Sequence, residues 1–182
     1  MALEHAILVS LSERAGTGYE LTRRFDKSIG FFWQATHQQI YRVLKRMHDA
    51  GWVTAEHVPQ DGKPDKKVYT VGAPGRAELA RWLAEPDAAA TVRDLSLKIR
   101  GTAFGDEDAV LAEVVRHRDR HAERLDLYRA IEKRDFPHPD VLTGTRLHQH
   151  LVLRGGITAQ ESLVSWCDEV ISALRAEKGD RQ

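Results

Sequence analysis

Between Thr36 and Gly51 the chain carries Gln38, Tyr41, Arg42 and Lys45 at spacings that gather them toward one side of a helix. On a wheel turning about 100° per residue, Val43, Leu44 and Met47 fall within about 60° of Ile40 and form an apolar, inward stripe. Gln38, Arg42, Lys45 and Asp49 lie opposite, with Tyr41 and Arg46 at the flanks. Amide, guanidinium, ammonium and phenol groups on such a face can hydrogen-bond base edges in a major groove or grip phosphate. A solvated helix face has a similar composition, so the surroundings of the helix must decide. Its start is well marked. Thr36 can accept the Gln39 amide hydrogen while the Gln39 side chain reaches back to Thr36, which places Thr36 and Gln39 at the same end as Gln38.

Other residues invite different chemistry and support it less. His117 and His121 are four apart, a metal-ligand spacing on a helix, but no third ligand lies nearby in sequence. His148 and His150 are two apart and point away from each other on a helix. Polar helix faces account for both pairs, and no metal or cofactor is expected. Cys167 is the single cysteine, which excludes an internal disulfide and cysteine-rich zinc sites. Between Trp166 and Val170 it reads as a packed residue rather than a redox sensor. No nucleophile elbow, phosphate-binding loop or zinc-hydrolase motif occurs, so an enzyme is not expected.

The elements that must position the Gln38 face follow from periodicity and breakers. Leu3, Ile7, Leu8 and Leu11 predict a first helix ending near Glu13. Gly16-Thr17-Gly18 breaks it, and Thr17 or Gly18 caps a second helix with Leu21 and Phe25 inward, ended by Gly30. The third helix stops at Ala50-Gly51. Residues 52–58 and 66–71 read as strands, with Asp61-Gly62-Lys63-Pro64-Asp65 as the turn. Lys63, Lys66 and Lys67 make the hairpin tip basic and could reach phosphates beside the groove. Pro74 opens a fourth helix containing Leu79, Trp82 and Leu83, and Pro86 closes it. Three helices, a charged-tip hairpin and another helix form the winged helix-turn-helix pattern.

Beyond an Ala-rich linker at 87–92 the chain reads as helical. The pattern predicts a short helix at 95–104 and a long charged one at 107–134. Leu111, Val114, Val115, Ala122, Leu125 and Tyr128 face inward on the long helix. A final helix follows from about Asp140 to Ala176, with a candidate kink at Gly155-Gly156. The fold class is therefore mainly α. A winged-helix DNA-binding domain at 1–86 precedes a helical dimerisation and effector domain at 87–182.

The 182 residues suit one domain or two small ones. The formal net charge is zero, which argues against a generally basic nucleic-acid binder. From Arg14 to Lys67, however, ten Lys and Arg face six Asp and Glu, so the positive charge is local and modest. No apolar run approaches the ~20 residues of a membrane span, and the first residues lack the pattern of a signal peptide. A cytoplasmic location without membrane association is expected.

The segment Gly18-Tyr19-Glu20-Leu21, then Phe31-Phe32-Trp33, then Gln38 through Met47 ending at Gly51, resembles the PadR family of regulators. So does Pro64 through Tyr69, followed by Gly75-Arg76 and Trp82-Leu83. The run Leu153-Arg154-Gly155-Gly156-Ile157, then Glu161, then Ser165 through Glu169, is similar to the helical domain of the longer, virulence-activator-like branch. A departure is Val71-Gly72-Ala73, where that family usually has threonine; Gly72 can still cap the helix at a cost of about a few tenths of a kcal/mol. The resemblance implies a homodimer on palindromic promoter DNA, usually a repressor, and release by a small-molecule effector. It adds Tyr19 to the DNA face with Gln38, Tyr41 and Lys45, and assigns Lys63, Lys66 and Lys67 to the wing. Core packing is the default for Trp33, Trp52, Trp82 and Trp166. Aromatics at the dimer interface of some relatives also line a ligand cavity, which makes Tyr128 and Trp166 candidates for an effector or dimer site.

The last helix offers Leu151, Val152, Ile157, Leu163, Trp166, Val170, Ile171 and Leu174, spread round more than one face. A single neighbour could not cover them all, so a second protomer is expected. Three readings stand: a ligand-responsive repressor, a DNA-binding regulator without a small ligand, and a winged-helix protein-interaction module.

Overall fold

The computed structural model describes residues 2–27, 35–60, 63–87 and 90–180. Gly30, Phe31, Phe32, Trp33, Asp61 and Gly62 lie outside that set, as does the side chain of Lys63. The chain divides into two compact units, 1–110 and 111–182. The division falls later than residue 86, because the segment after the linker contributes Leu97 and Val110 to the core of the first unit.

Helix α1 (Ala2–Glu13) is the pillar of the first unit. Ala6 through Leu11 are all buried, Ser10 included. A helix enclosed this fully needs neighbours on every side. They are α2 (Gly18–Lys27), α3 (His37–Asp49), α4 (Ala73–Ala84), α5 (Val92–Arg100) and strand β3 (Lys63–Val71). The expected second helix starts where Thr17 caps it. The Glu20 amide donates to Thr17 Oγ1 at 3.1 Å, and the Thr17 amide donates to Glu20 Oε2 at 2.8 Å. Helix α3 has the expected capping box, with Thr36 N to Gln39 Oε1 at 2.8 Å and Gln39 N to Thr36 Oγ1 at 3.2 Å. Ile40, Val43, Leu44 and Met47 form its buried stripe. Ala50 caps its end, and Gly51 turns the chain with φ 72°, a left-handed conformation suited to glycine.

The sheet has three antiparallel strands in the order β1-β3-β2, where β1 is Gly16–Thr17 and β2 is Val53–Gln60. Both wing strands run further toward the tip than periodicity indicates. Gln60 pairs with Lys63, so Lys63, Pro64 and Asp65 belong to β3 rather than to the turn. The register is irregular between Val58 and Gln60. The expected cap Gly72 and first-turn Pro74 open α4. The following helix starts and ends earlier than expected. Thr91 and Asp94 cap each other, α5 ends at Arg100, and a separate 3-10 turn covers Thr102–Phe104.

Helix α6 (Glu107–Asp135) crosses the division, and α7 (Gly144–Gly179) completes the second unit. Their pairing is antiparallel, read from the order of the bonds between them. Arg118 bonds Asp168 at 3.0 Å, Arg129 bonds Glu161 at 2.9 Å, and His150 meets Glu132 at 2.9 Å. Of the inward set expected on α6, Val114 and Leu125 are buried, while Leu111, Val115, Ala122 and Tyr128 are half-buried. Helix α7 continues through Gly155 and Gly156 without a break. A Cβ on Gly156 would lie 3.0 Å from the Tyr128 ring, so this glycine serves close packing.

Candidate nucleic-acid interface

The α3 face opposite the buried stripe is open. Gln38, Gln39, Tyr41, Arg42 and Lys45 are exposed, as are Thr36 and Asp49. Thr36 and Gln39 stand at the same end as Gln38, but their side-chain oxygens are already engaged in the capping box. Two polar side-chain contacts link the helix to its neighbours. Arg46 reaches Glu4 on α1, which draws it away from the open face, and His37 lies 3.6 Å from Asp26 on α2. Tyr19 stands near the start of α2, 61% exposed, with the Arg23 guanidinium 6.0 Å from its ring centroid. Tyr41 is 49% exposed and rests against Gly18.

The strand β1 ties the wing to this face. Gly16 pairs with Tyr69 and Thr17 with Val68, so the base of the wing is fixed beside the start of α2. The Thr17 hydrogen bonds hold the Glu20 carboxyl below the usual carboxylate range, with the charges of Lys66 and Arg24 acting in the same direction. Lys66 and Lys67 point to opposite faces of β3, as consecutive strand residues must. Lys66 is exposed; Lys67 is half-buried, with its ammonium 5.5 Å from the Tyr69 ring centroid. The strand β1 itself was not legible in the sequence, because two residues carry no periodicity.

The effector candidates are placed separately. Tyr128 packs on Gly156, and Trp166 is half-buried on α7. An open groove of about 760 Å³ along α6 and α7 is lined by Leu125, Arg129, Glu161, Val164, Ser165, Asp168, Glu169 and Ser172, and by neither aromatic. Cys167 is buried, and burial pushes its thiol up, away from the reactive thiolate. His117 and His121 have ring centroids 4.7 Å apart, and His121 Nδ1 lies 2.6 Å from Gln160 Oε1. Among the described residues no group of three His, Cys, Asp or Glu is placed to hold a metal ion. No described helix is long and apolar enough to cross a membrane.

Residues 7–81 match the Transcriptional regulator PadR-like family, and residues 93–175 match the Virulence activator alpha C-term family. The sequence is 52% identical to a probable transcriptional regulator of Mycobacterium tuberculosis, over 98% of this chain and all of that one. The chain belongs to the PadR-like family of transcriptional regulators. The negative transcriptional regulator PadR of Bacillus subtilis is 28% identical over 94% of this PadR-like chain and 97% of its own. A solved structure of Bacillus subtilis PadR in complex with operator DNA is similar at 25% identity, covering 96% of this chain and 99% of that one, with a TM-score of 0.46. In this PadR-like regulator the winged helix occupies the first unit, and the second unit is helical throughout its regular elements.

Proposed function

We propose that the protein is a homodimeric, sequence-specific DNA-binding repressor. Helix α3 enters a major groove and the β2–β3 wing lies along the neighbouring backbone. The observation that carries this reading is the open α3 face, with Gln38, Tyr41, Arg42 and Lys45 exposed opposite a fully used apolar stripe. A merely solvated helix face has a similar composition; what singles this one out is its setting, with β1 tying the wing and its exposed Lys66 beside the start of α2. In this reading Tyr19, Thr36, Gln39, Lys63, Lys66 and Lys67 flank the groove-facing residues and contact phosphate. Repression is favoured by the name of the Bacillus subtilis relative, a negative transcriptional regulator. Dimerisation through the second unit is supported by Leu127 on α6 and Leu151 and Val152 on α7, large apolar side chains left exposed in one chain.

Two recognition helices joined this way suit an inverted repeat with half-sites about one helical turn apart. The test is a mobility shift on the intergenic region upstream of the protein's own gene. Nanomolar-range binding supports the reading, and equal affinity for a scrambled duplex at moderate salt overturns it. Release by a small effector at Tyr128 or Trp166 belongs to the same proposal. The second reading, a DNA-binding regulator without such an effector, is favoured by the absence of both aromatics from the α6–α7 groove. A thermal-shift screen separates the two, since a ligand of the folded state must raise the melting temperature.

A further inference from the structure

The strap Gly16-Thr17-Gly18 joins α1 to α2, and its glycines are not required by backbone conformation. Positive φ occurs among the described residues only at Gly51 and Gly144. Space explains the glycines instead. A Cβ on Gly16 would lie 2.5 Å from Nη2 of Arg24, whose guanidinium donates to the carbonyls of Ser10, Arg14 and Ala15 and so closes the end of α1. A Cβ on Gly18 would lie 2.5 Å from Cε1, 2.9 Å from Cζ and 3.2 Å from the hydroxyl of Tyr41. The phenol end of Tyr41, a residue of the recognition helix, thus occupies the place of the side chain that Gly18 lacks. Gly18 is buried under it.

We propose that Gly18 is a positioning residue for DNA recognition. By leaving room for the Tyr41 phenol on the first turn of α2, it fixes that ring on the open α3 face before DNA arrives. This deepens the DNA-binding reading and rests on it. A half-exposed tyrosine without a seat would sample several rotamers and lose that freedom on binding. The seat removes the loss in advance and links the angle between α2 and α3 to the position of one contact group. The sign of a substitution separates this role from helix propensity. Alanine is the better helix former by about the largest margin among ordinary residues, and Gly18 has no positive φ to forbid it. Propensity alone therefore expects Gly18→Ala to stabilise, whereas the seat expects it to displace Tyr41.

The test is a cycle in the full-length protein: wild type, Gly18→Ala, Tyr41→Ala and both together. Each is measured for melting temperature and for affinity to the upstream intergenic duplex against a scrambled one. The expected result is that Gly18→Ala lowers the affinity by roughly three- to tenfold, the scale of ordering one side chain at an interface, and gains less in melting temperature than the same substitution gains once the Tyr41 ring is removed. In the Tyr41→Ala background, where the opposing ring is gone, the same substitution should leave the melting temperature unchanged or raised and add no further loss of affinity. Additive losses of affinity overturn the proposal, as does an unchanged affinity in Gly18→Ala. The double variant keeps the test decisive should Gly18→Ala alone fail to fold, because removing the ring should restore folding. Failure of the wild type to prefer the upstream duplex overturns the DNA reading and the recognition role together, and the melting temperatures then still report whether the seat exists.

Discussion

His5 on α1 and Trp82 on α4 stack ring on ring, with centroids 4.5 Å apart and planes 10° from parallel. His5 Nε2 also meets Glu78 Oε1 at 2.9 Å, and the buried Lys98 ammonium lies 5.4 Å from the Trp82 centroid. Burial, the largest influence, pulls the His5 pKa below 6.5, with Arg81 adding to it and Glu78 and Glu4 opposing it.

A pH dependence follows from that cluster. The folded chain takes up the His5 proton less readily than the unfolded chain. Stability is therefore full above the ordinary histidine pKa of 6.5 and is lost as pH falls below it, down to the folded-state value. Glu78 adds nothing in that window. Its carboxyl, held down to about 2 chiefly by hydrogen bonds from Arg81, loses its contribution only as pH falls from 4.5. The melting temperature should drop as pH falls below about 6.5, and that of His5→Phe, which keeps an aromatic partner for Trp82, should drop less. Parallel drops would place the acid sensitivity elsewhere.

The cap of the recognition helix gives a second expectation. Thr36→Ala removes the acceptor for the Gln39 amide and should cost ~1 kcal/mol of unfolding free energy. Urea denaturation measures it. A change in midpoint without a change in slope is the expected form.

Base reading and phosphate gripping should separate. Gln38→Ala should relax specificity at one or two base positions by ~1–3 kcal/mol where the contact is bidentate to adenine. Lys66→Ala should weaken all sequences alike and reduce the salt slope by about one unit. Lys67→Ala should act similarly but less strongly, because its ammonium also lies over Tyr69. Binding titrations at several salt concentrations on matched and mismatched duplexes decide this. Identical behaviour of the Gln38 and Lys66 variants would show that α3 does not face the groove.

Truncation tests which segment completes the first unit. Leu97 and Val110 are buried in its core, and Arg100 bonds Glu13 of α1 at 2.6 and 2.8 Å. A chain ending after Pro86 loses all three and should melt well below one ending after Val110. Burying a leucine or valine side chain fully is worth ~1.5–3 kcal/mol. Equal melting of the two fragments would mean that α5 only rests on a core already complete.

The parts legible in the sequence were those decided within a few residues. The Thr36–Gln39 box, the Ile40 stripe and the hairpin all follow from local spacing, while the Gly72 cap came from the family resemblance. The strand β1 was not legible, because Gly16 and Thr17 become a strand only by pairing with Tyr69 and Val68, more than fifty residues away. Glu113, His117 and Lys98 are buried although charged or titratable groups default to the surface. Glu113 pairs with Arg116 one turn along its own helix, whereas Lys98 donates to the Glu85 carbonyl thirteen residues away, a partner that local spacing does not reveal. Gly155-Gly156 suggested a kink because sequence shows a glycine's freedom and not the Tyr128 ring that fills its space.

The sheet order β1-β3-β2 leaves β2 with one unpaired edge. Such an edge invites strands from other copies to add on, the usual start of aggregation. Here the irregular step between Val58 and Gln60 carries Pro59, which has no N–H to offer an incoming strand. The outer side of β3 is covered by β1 at Tyr69 and Val68, and next toward the tip come the charged Lys67 and Lys66. The wing can thus project as a long hairpin without becoming adhesive to its own kind. Copies crowded together at high local concentration should remain separate particles instead of polymerising through their sheets.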